Sequence, residues 1–266
     1  VRGVVGMRGG GDWCGLLGVA GGLWSPCGAR SSYRRSTYMS PSKPSIVFAH
    51  GLWADGSCYS KLIPVLQSEG HEVVSAQNTL DSLEGDVDAV HRALGRVSAP
   101  AVLVGHSWGG YVITAAGTDE RVKGLVYVAA LGPDADESPE ELIGKFDPPP
   151  LFSHLDNEDG RIWIARDGIS HFCGDLPQAE QQLVWATQGA PRAEVLGSRL
   201  DEPAWRIRPS WFLVATRDHA VNPELQRFCA QRMGATLAEV ESSHTPMLSR
   251  PEAVLDLIRT AARSVG

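Results

Sequence analysis

The chain has 266 residues, of which 43% are hydrophobic and 21% are charged, so it can bury a sizeable core and lacks the composition of a disordered protein. Its formal net charge of −7 argues against a nucleic-acid-binding protein, which normally carries a basic surface. No uninterrupted apolar run approaches the roughly 18 residues that cross a bilayer, so we expect no membrane partner. The five cysteines form no C-x-x-C pair and indicate neither a disulfide scaffold nor a zinc site. These observations predict an acidic, globular, cytoplasmic protein that acts on small molecules.

The first 38 residues differ in character from the rest. They contain ten glycines and five arginines but a single acidic residue, and their apolar residues follow neither a helical nor a strand period. We expect residues 1–38 to form a disordered extension upstream of the true start at Met39, and residues 39–266 to form one domain. A secretory signal is the alternative interpretation of this stretch, although Cys27-Gly28-Ala29 makes a poor cleavage site.

From residue 45 onwards, short apolar runs alternate with helical patterns. The six predicted strands cover residues 46–49, 71–76, 101–104, 122–129, 211–215 and 236–240. Between them, apolar residues recur at helical spacing, as in the stripe from Leu83 to Val97 behind Ser82 as N-cap. Apolar strands joined by helices are typical of parallel sheets, so we predict an α/β fold: a mostly parallel six-stranded sheet with helices on both faces. Such a sheet binds its ligands at the edge where the strands end.

A long insertion separates the fourth and fifth predicted strands. It covers roughly residues 131–209, which is too long for a simple connecting loop. We predict that it forms a cap over the ligand-binding edge of the sheet. Trp163 and Trp185 lie within it, and we expect them to line an apolar substrate pocket, although either tryptophan could instead belong to the core of the cap.

The segment Gly105-His106-Ser107-Trp108-Gly109 matches the pattern G-x-S-x-G. It lies between an apolar strand and a predicted helix, and in that context the pattern is typical of a nucleophilic serine on a sharp turn. A sharp turn from strand to helix lifts the serine hydroxyl above the sheet, and the small neighbours two residues away on each side avoid a collision. Ser107 is therefore the predicted nucleophile.

A serine hydroxyl needs a base to take its proton, and that base needs an orienting acid. His244 follows the last predicted strand and Asp218 follows the preceding one, so both belong to the same edge of the sheet as Ser107. The chain order serine, aspartate, histidine is the order that this strand–turn–helix arrangement requires. We therefore predict a catalytic triad of Ser107, Asp218 and His244.

Acyl transfer also needs donors for the oxyanion of its transition state. The backbone N–H of Trp108, next to the nucleophile, is one candidate. The second is the N–H of Leu52, in the loop His50-Gly51-Leu52-Trp53 after the first strand. We expect Gly51 and Trp53 of this loop to contact the substrate. His50 and His106 are interpreted as residues that shape the loop and pack the site.

Four segments resemble the α/β-hydrolase superfamily, and within it the compact single-domain group of plant methylesterases, hydroxynitrile lyases and bacterial carboxylesterases. They are residues 47–53, 105–110, 215–218 and 243–248. The resemblance extends over about residues 44–264 and implies a serine–histidine–aspartate mechanism that uses no metal and no cofactor, with substrate choice set by the cap. Gly51 stands where the lyases carry a hydroxyl residue, and Thr245 where they carry a lysine, which argues against a lyase.

The sequence thus predicts a serine hydrolase that cleaves small, fairly apolar carboxylic esters through an acyl-enzyme. A lactonase, thioesterase or acyltransferase with the same triad is the alternative among enzymes. A non-catalytic small-molecule-binding protein on the same scaffold is the alternative from another class. No nucleotide-binding or metal-binding motif is present in the sequence, and nothing in it indicates an oligomeric state.

Overall fold

The computed structural model describes residues 43–98 and 100–266. The predicted extension, residues 1–38, lies outside this part of the chain. Eight strands are present in the described part: β1 (Ser45–Ala49), β2 (Val73–Ala76), β3 (Ala101–His106), β4 (Val122–Val128), β5 (Leu155–Glu158), β6 (Arg161–Ile164), β7 (Ser210–Ala215) and β8 (Thr236–Val240). The same part has nine α-helices: α1 (Ile63–Ser68), α2 (Leu83–Leu94), α3 (Trp108–Ala116), α4 (Pro139–Ile143), α5 (Ile169–Cys173), α6 (Gln178–Ala186), α7 (Pro223–Arg232), α8 (Pro246–Ser249) and α9 (Pro251–Val265).

Six of the strands form one parallel sheet in the order β2-β1-β3-β4-β7-β8. The predicted six-stranded sheet and α/β fold class are therefore confirmed. Since every strand runs in the same direction, the residues that follow β1, β3, β7 and β8 all lie at one edge. The chain crosses over β1 between β2 and β3, and this places β3 at the centre with β1 and β4 as its neighbours.

The two faces of the sheet explain why its strands are apolar throughout. In β1, Val47 and Ala49 pack into the core that contains α2, α3 and α7, whereas Ile46 and Phe48 pack into the core that contains α9. Successive side chains of a strand point to opposite faces, so a sheet covered on both faces needs apolar residues at every position. None of the helices in the described part is long and apolar enough to cross a membrane.

The segment between β4 and β7, which is called the cap below, consists of small elements. It contains α4, α5 and α6, several short 3-10 turns, and an antiparallel hairpin of β5 and β6. Its helices are short, between five and nine residues, and α4 begins with a capping box in which Ser138 and Glu141 satisfy each other's backbone N–H. Short capped elements of this kind depend on tertiary packing for their stability.

Between β3 and α3 the chain turns within a single residue, and this turn requires glycines around it. A Cβ atom on Gly109 would lie 2.0 Å from the Ala49 carbonyl oxygen, and one on Gly105 would lie 2.4 Å from the Gly109 carbonyl oxygen. Both clashes are with backbone atoms, which cannot move aside. The first turn of α3 therefore packs against the end of β1 at a distance that only glycine allows.

We predict that Gly109→Ala lowers the free energy of unfolding by about 3 kcal/mol, because the added methyl group must displace the backbone at the end of β1. Gly197→Ala is the matched control, since a Cβ there meets nothing within 4 Å, and we expect no loss. Urea unfolding followed by circular dichroism measures both. Equal stabilities of the two variants would contradict this account of the turn.

Candidate active site

Ser107 occupies the turn between β3 and α3 in a strained backbone conformation. Its φ is 54° and its ψ is −121°, a combination that non-glycine residues rarely adopt. The residue is buried, with 6% of its surface exposed. It directly precedes the N-terminus of α3, where unpaired N–H groups favour negative charge. Strain of this kind at an otherwise well-packed position is typical of functional sites.

His244 lies in the loop between β8 and α8, at the same edge of the sheet. Its Nδ1 is 2.7 Å from Asp218 Oδ2, and both side chains are fully buried. Since an ionised carboxylate can only accept hydrogen bonds, the proton of the neutral imidazole belongs on Nδ1. Nε2 therefore carries the lone pair, and it is buried without a hydrogen-bond partner among the described residues. His244 and Ser107 line the same cavity, so this nitrogen is available to a proton from the serine.

Asp218 receives four hydrogen bonds. Oδ1 accepts from the backbone N–H groups of Ala220 and Val221, at 2.8 and 2.9 Å. Oδ2 accepts from His244 and from the side-chain amide of Gln226, each at 2.7 Å. The two backbone donors come from the carboxylate's own loop, and the two side-chain donors come from more distant segments. The carboxylate is thus held in one orientation, facing the imidazole.

Gln226 is a buried residue of α7 that sequence reasoning missed. Its Nε2 also donates to the Val221 carbonyl at 2.8 Å, and its Oε1 accepts from the N–H of Ala215 at 2.9 Å. One amide therefore joins the last residue of β7 to Asp218. A glutamine beside Leu225 on the buried side of a helix is the signal that could have identified it. Only an amide side chain supplies both the acceptor and the donors that this position uses.

The predicted oxyanion donors lie beside Ser107. Neither the Leu52 N–H nor the Trp108 N–H is bonded to an acceptor within the described residues, and both residues line the same cavity as Ser107.

The Trp108 indole donates to Asp86 Oδ2 at 2.8 Å. Asp86 is fully buried on α2, and its other oxygen accepts from the N–H groups of Thr79 and Leu80. Asp86, also missed by sequence reasoning, anchors the residue that follows the nucleophile.

Two further histidines hold the loops around the site. His50 Nδ1 bonds to the Gly51 carbonyl at 3.0 Å, and its Nε2 accepts from the Asn78 N–H at 3.0 Å. His106 Nε2 bonds to the backbone carbonyl of His244 at 2.8 Å. Burial lowers the pKa of His50, and burial together with the nearby His244 lowers the pKa of His106 well below its ordinary value. Burial thus favours the neutral form of both rings, and their hydrogen bonds fix the backbone beside Ser107 and His244.

A cavity of about 160 Å³ opens at Ser107 and His244. Its other walls are largely apolar, and they include Leu131, Ile143, Leu155, Ile162, Leu196 and Val221. Gly51 allows the loop after β1 to approach Ser107, since a Cβ there would lie 2.7 Å from the Ser107 Cβ. Trp53 of the same loop lines the cavity and is buried. The arrangement can hold a small apolar group against the serine.

The structure does not bring Trp163 and Trp185 into this cavity. Successive residues of β6 point to opposite sides, so Ile162 lines the cavity whereas Trp163 points away from it and is 37% exposed. The Trp185 indole donates to the Ile164 carbonyl at 3.0 Å, and the Arg166 guanidinium stacks over its ring. Both tryptophans therefore shape the cap rather than the pocket. Within the described residues, no group of histidine, cysteine, aspartate or glutamate side chains is placed to hold a metal ion.

We predict that Gln226→Glu lowers kcat/KM by about 10- to 100-fold, because a hydrogen bond to a charged group contributes about 1.5–3 kcal/mol and a second carboxylate would face Asp218. The introduced carboxyl can donate to Asp218 only while protonated, so the loss should grow as the pH is raised. The matched control is Gln231→Glu, on the exposed side of the same helix. Kinetics over a pH series measure both; a loss that is the same at every pH would reduce Gln226 to a packing role.

Comparison with known proteins agrees with this geometry. The profile of the alpha/beta hydrolase family matches residues 46–257. A pyrethroid hydrolase of Sphingobium wenxiniae is 29% identical, over 80% of this chain and 85% of its own length. Methylesterase 2 of Arabidopsis thaliana is 23% identical, over 80% of this chain and 94% of its own length. The crystal structure of polyneuridine aldehyde esterase superimposes with a TM-score of 0.72 at 17% identity, covering 82% of this chain and 99% of that one.

The relatives cover most of the chain, and the structural likeness shows the same fold. The resemblance predicted from the four short segments is therefore confirmed. Because the family profile matches most of its length, including the turn at Ser107 and the loop of His244, this chain belongs to the alpha/beta hydrolase family.

Proposed function

We propose that the protein is a serine carboxylesterase that hydrolyses esters of small, apolar acids through an acyl-enzyme. The observation that carries the proposal is the state of His244. Its Nδ1 is bonded to Asp218, and its Nε2 is buried with no partner among residues 43–98 and 100–266, in the cavity that Ser107 also lines. A histidine held in this way can act as a general base, because its free nitrogen can accept the proton of the serine hydroxyl. The names of relatives, a methylesterase and a pyrethroid hydrolase, support ester substrates.

The reaction proceeds in two halves. In the first, Ser107 Oγ attacks the ester carbonyl carbon while His244 Nε2 takes the hydroxyl proton. The carbonyl oxygen becomes an oxyanion, which accepts from the Leu52 and Trp108 N–H groups. The C–O bond to the alcohol then breaks, and His244 returns the proton to the departing oxygen. The products of this half are a free alcohol and an acyl group bound to Ser107.

In the second half, a water molecule takes the place of the alcohol. His244 removes one proton from the water, and the resulting hydroxide attacks the acyl carbon. The oxyanion forms again at the same two N–H groups and collapses to release the acid, and His244 protonates Ser107 Oγ. Asp218 holds the imidazole and balances its charge while it is protonated, and no metal or cofactor enters the sequence of steps.

The cavity indicates the class of acid. Its volume of about 160 Å³ suits a short acyl group, and its apolar walls disfavour a charged one, because burying an unpaired charge there is costly. Neither Asp86 nor any other charged side chain lines this cavity within the described residues. Small uncharged acyl groups are therefore the best match.

The proposal extends to the organisation and location of the protein. We assign residues 39–266 to one catalytic domain, with residues 131–209 as its cap. We also propose that it acts in the cytoplasm: Cys58, Cys173 and Cys229 are buried free thiols, and unpaired thiols suit a reducing compartment.

We expect Ser107→Ala and His244→Ala each to lower kcat for p-nitrophenyl acetate and butyrate by about 10³-fold or more, because nucleophile and base act as one unit. His219→Ala is the matched control: this histidine directly follows Asp218 but is exposed and contacts His171 instead. Initial rates measure turnover, and intact mass after fluorophosphonate treatment should show one adduct on the wild type and none on Ser107→Ala. A folded wild type with neither labelling nor turnover would leave the protein a binding scaffold.

A further inference from the structure

A second cavity lies between the segment after β1, Phe172, helix α6 of the cap, and the segment from Thr245 to Leu248. Its volume is about 360 Å³, more than twice that of the cavity at Ser107. Most of its walls are apolar, and they include Cys58, Phe172, Val184, Met247 and Leu248. The steps proposed for the first cavity make no use of this space.

Two aromatic side chains separate the cavities. Trp53 lines both of them. The ring of Phe172, which lines the second cavity, meets the Trp53 ring edge-on at 6.1 Å and the His244 ring at 5.0 Å. Trp53 is also a non-glycine residue at positive φ (57°), and its indole donates to the Ile162 carbonyl of the cap at 2.8 Å. Trp53 therefore lies at the boundary where the two cavities adjoin.

The second cavity borders the residue after the base. Thr245 lines it and is 2% exposed, and its Oγ1 has no hydrogen-bond partner among the described residues. A buried hydroxyl left unpaired is destabilising, and an oxygen atom of a ligand would satisfy it. The proposed chemistry assigns the two ester halves to different sides: the acyl carbon is bonded to Ser107, whereas the alcohol oxygen takes its proton from His244. The alcohol half therefore extends from the His244 side.

Three charged side chains line the second cavity. Lys61 and Glu180 form an ion pair at 3.0 Å between the core and α6. Asp55 carries a carboxylate that accepts from the Ser57 N–H at 2.6 Å. Because each of these charged groups already has a polar partner, the apolar remainder of the cavity favours an uncharged, apolar ligand.

We propose that this second cavity is the alcohol subsite of the enzyme, reached past the Trp53 side chain, and that the preferred substrates join a small apolar acid to an extended apolar alcohol. The inference rests on the proposed esterase function and adds the class of alcohol to it. The second cavity binds the alcohol chain, and the cavity at Ser107 binds the acyl group.

The test compares hexyl butyrate with methyl butyrate, using wild type and Val184→Phe, by titrating the acid released at constant pH. Val184 lines the second cavity and not the cavity at Ser107, and the larger ring should fill part of the second cavity. We expect wild type to prefer hexyl butyrate and the variant to lower the hexyl-to-methyl ratio of kcat/KM by about tenfold, because the alcohol chain loses its site. The matched variant is Ile143→Phe, in the cavity at Ser107. This variant should instead lower the ratio of kcat/KM for methyl hexanoate to kcat/KM for methyl butyrate.

Failure of the alcohol subsite and failure of the proposed esterase function give different outcomes. A wild type that hydrolyses methyl butyrate but shows no preference for hexyl butyrate overturns the alcohol subsite and leaves the esterase proposal standing. The alcohol subsite is also overturned if Val184→Phe lowers kcat/KM for hexyl butyrate and for methyl butyrate by the same factor. Thermal unfolding must show that the variant is folded. A wild type that hydrolyses none of the esters overturns both.

Discussion

The hydrogen bonds of the Asp218 carboxylate are the interaction on which the rest of the site depends. They join its own loop after β7, the helix α7 through Gln226, and the loop after β8 through His244. A buried carboxylate left short of donors would be costly, so these segments stabilise one another's positions. The four donors hold the carboxylate, and through it the His244 imidazole, in one orientation beside the cavity that Ser107 also lines.

The rest of the site divides between the edge of the sheet and the cap. At the sheet edge, Gly105 and Gly109 bring the backbone of β3, α3 and β1 together at distances that admit no side chain, and this holds Ser107 in its strained conformation. The cap, by contrast, consists of short helices and one hairpin that meet the core through side chains. Trp53 belongs to the loop after β1, and its indole donates to the Ile162 carbonyl of the cap. The boundary between the two cavities therefore depends on the packing of the cap against the core. Backbone packing thus positions Ser107, whereas side-chain packing shapes the cavity around it.

Much of this arrangement is determined by local sequence patterns. Each of the six strands of the sheet was predicted within two residues of its ends, because an apolar run bounded by turn residues is a local signal. The positions of Ser107, Asp218 and His244 after their strands follow from the same signal, since parallel strands bring their carboxyl ends to one edge. A sequence that specifies a parallel sheet therefore also specifies which loops meet.

The tertiary structure decided the rest, because those features depend on contacts between distant segments. Gln226 and Asp86 are ordinary polar residues of helices until the fold buries them against Asp218 and Trp108. Trp163 was expected in the pocket, but the register of the β5–β6 hairpin points it away from the cavity. A shift of one residue would reverse the side on which each residue lies, and the composition of the segment does not determine this register. The second cavity likewise exists only where α6 meets the core. The sequence by itself determined the fold and the order of the reacting groups; the packing of cap against core alone decided the shape of the space around them, because shape depends on which side chains face each other.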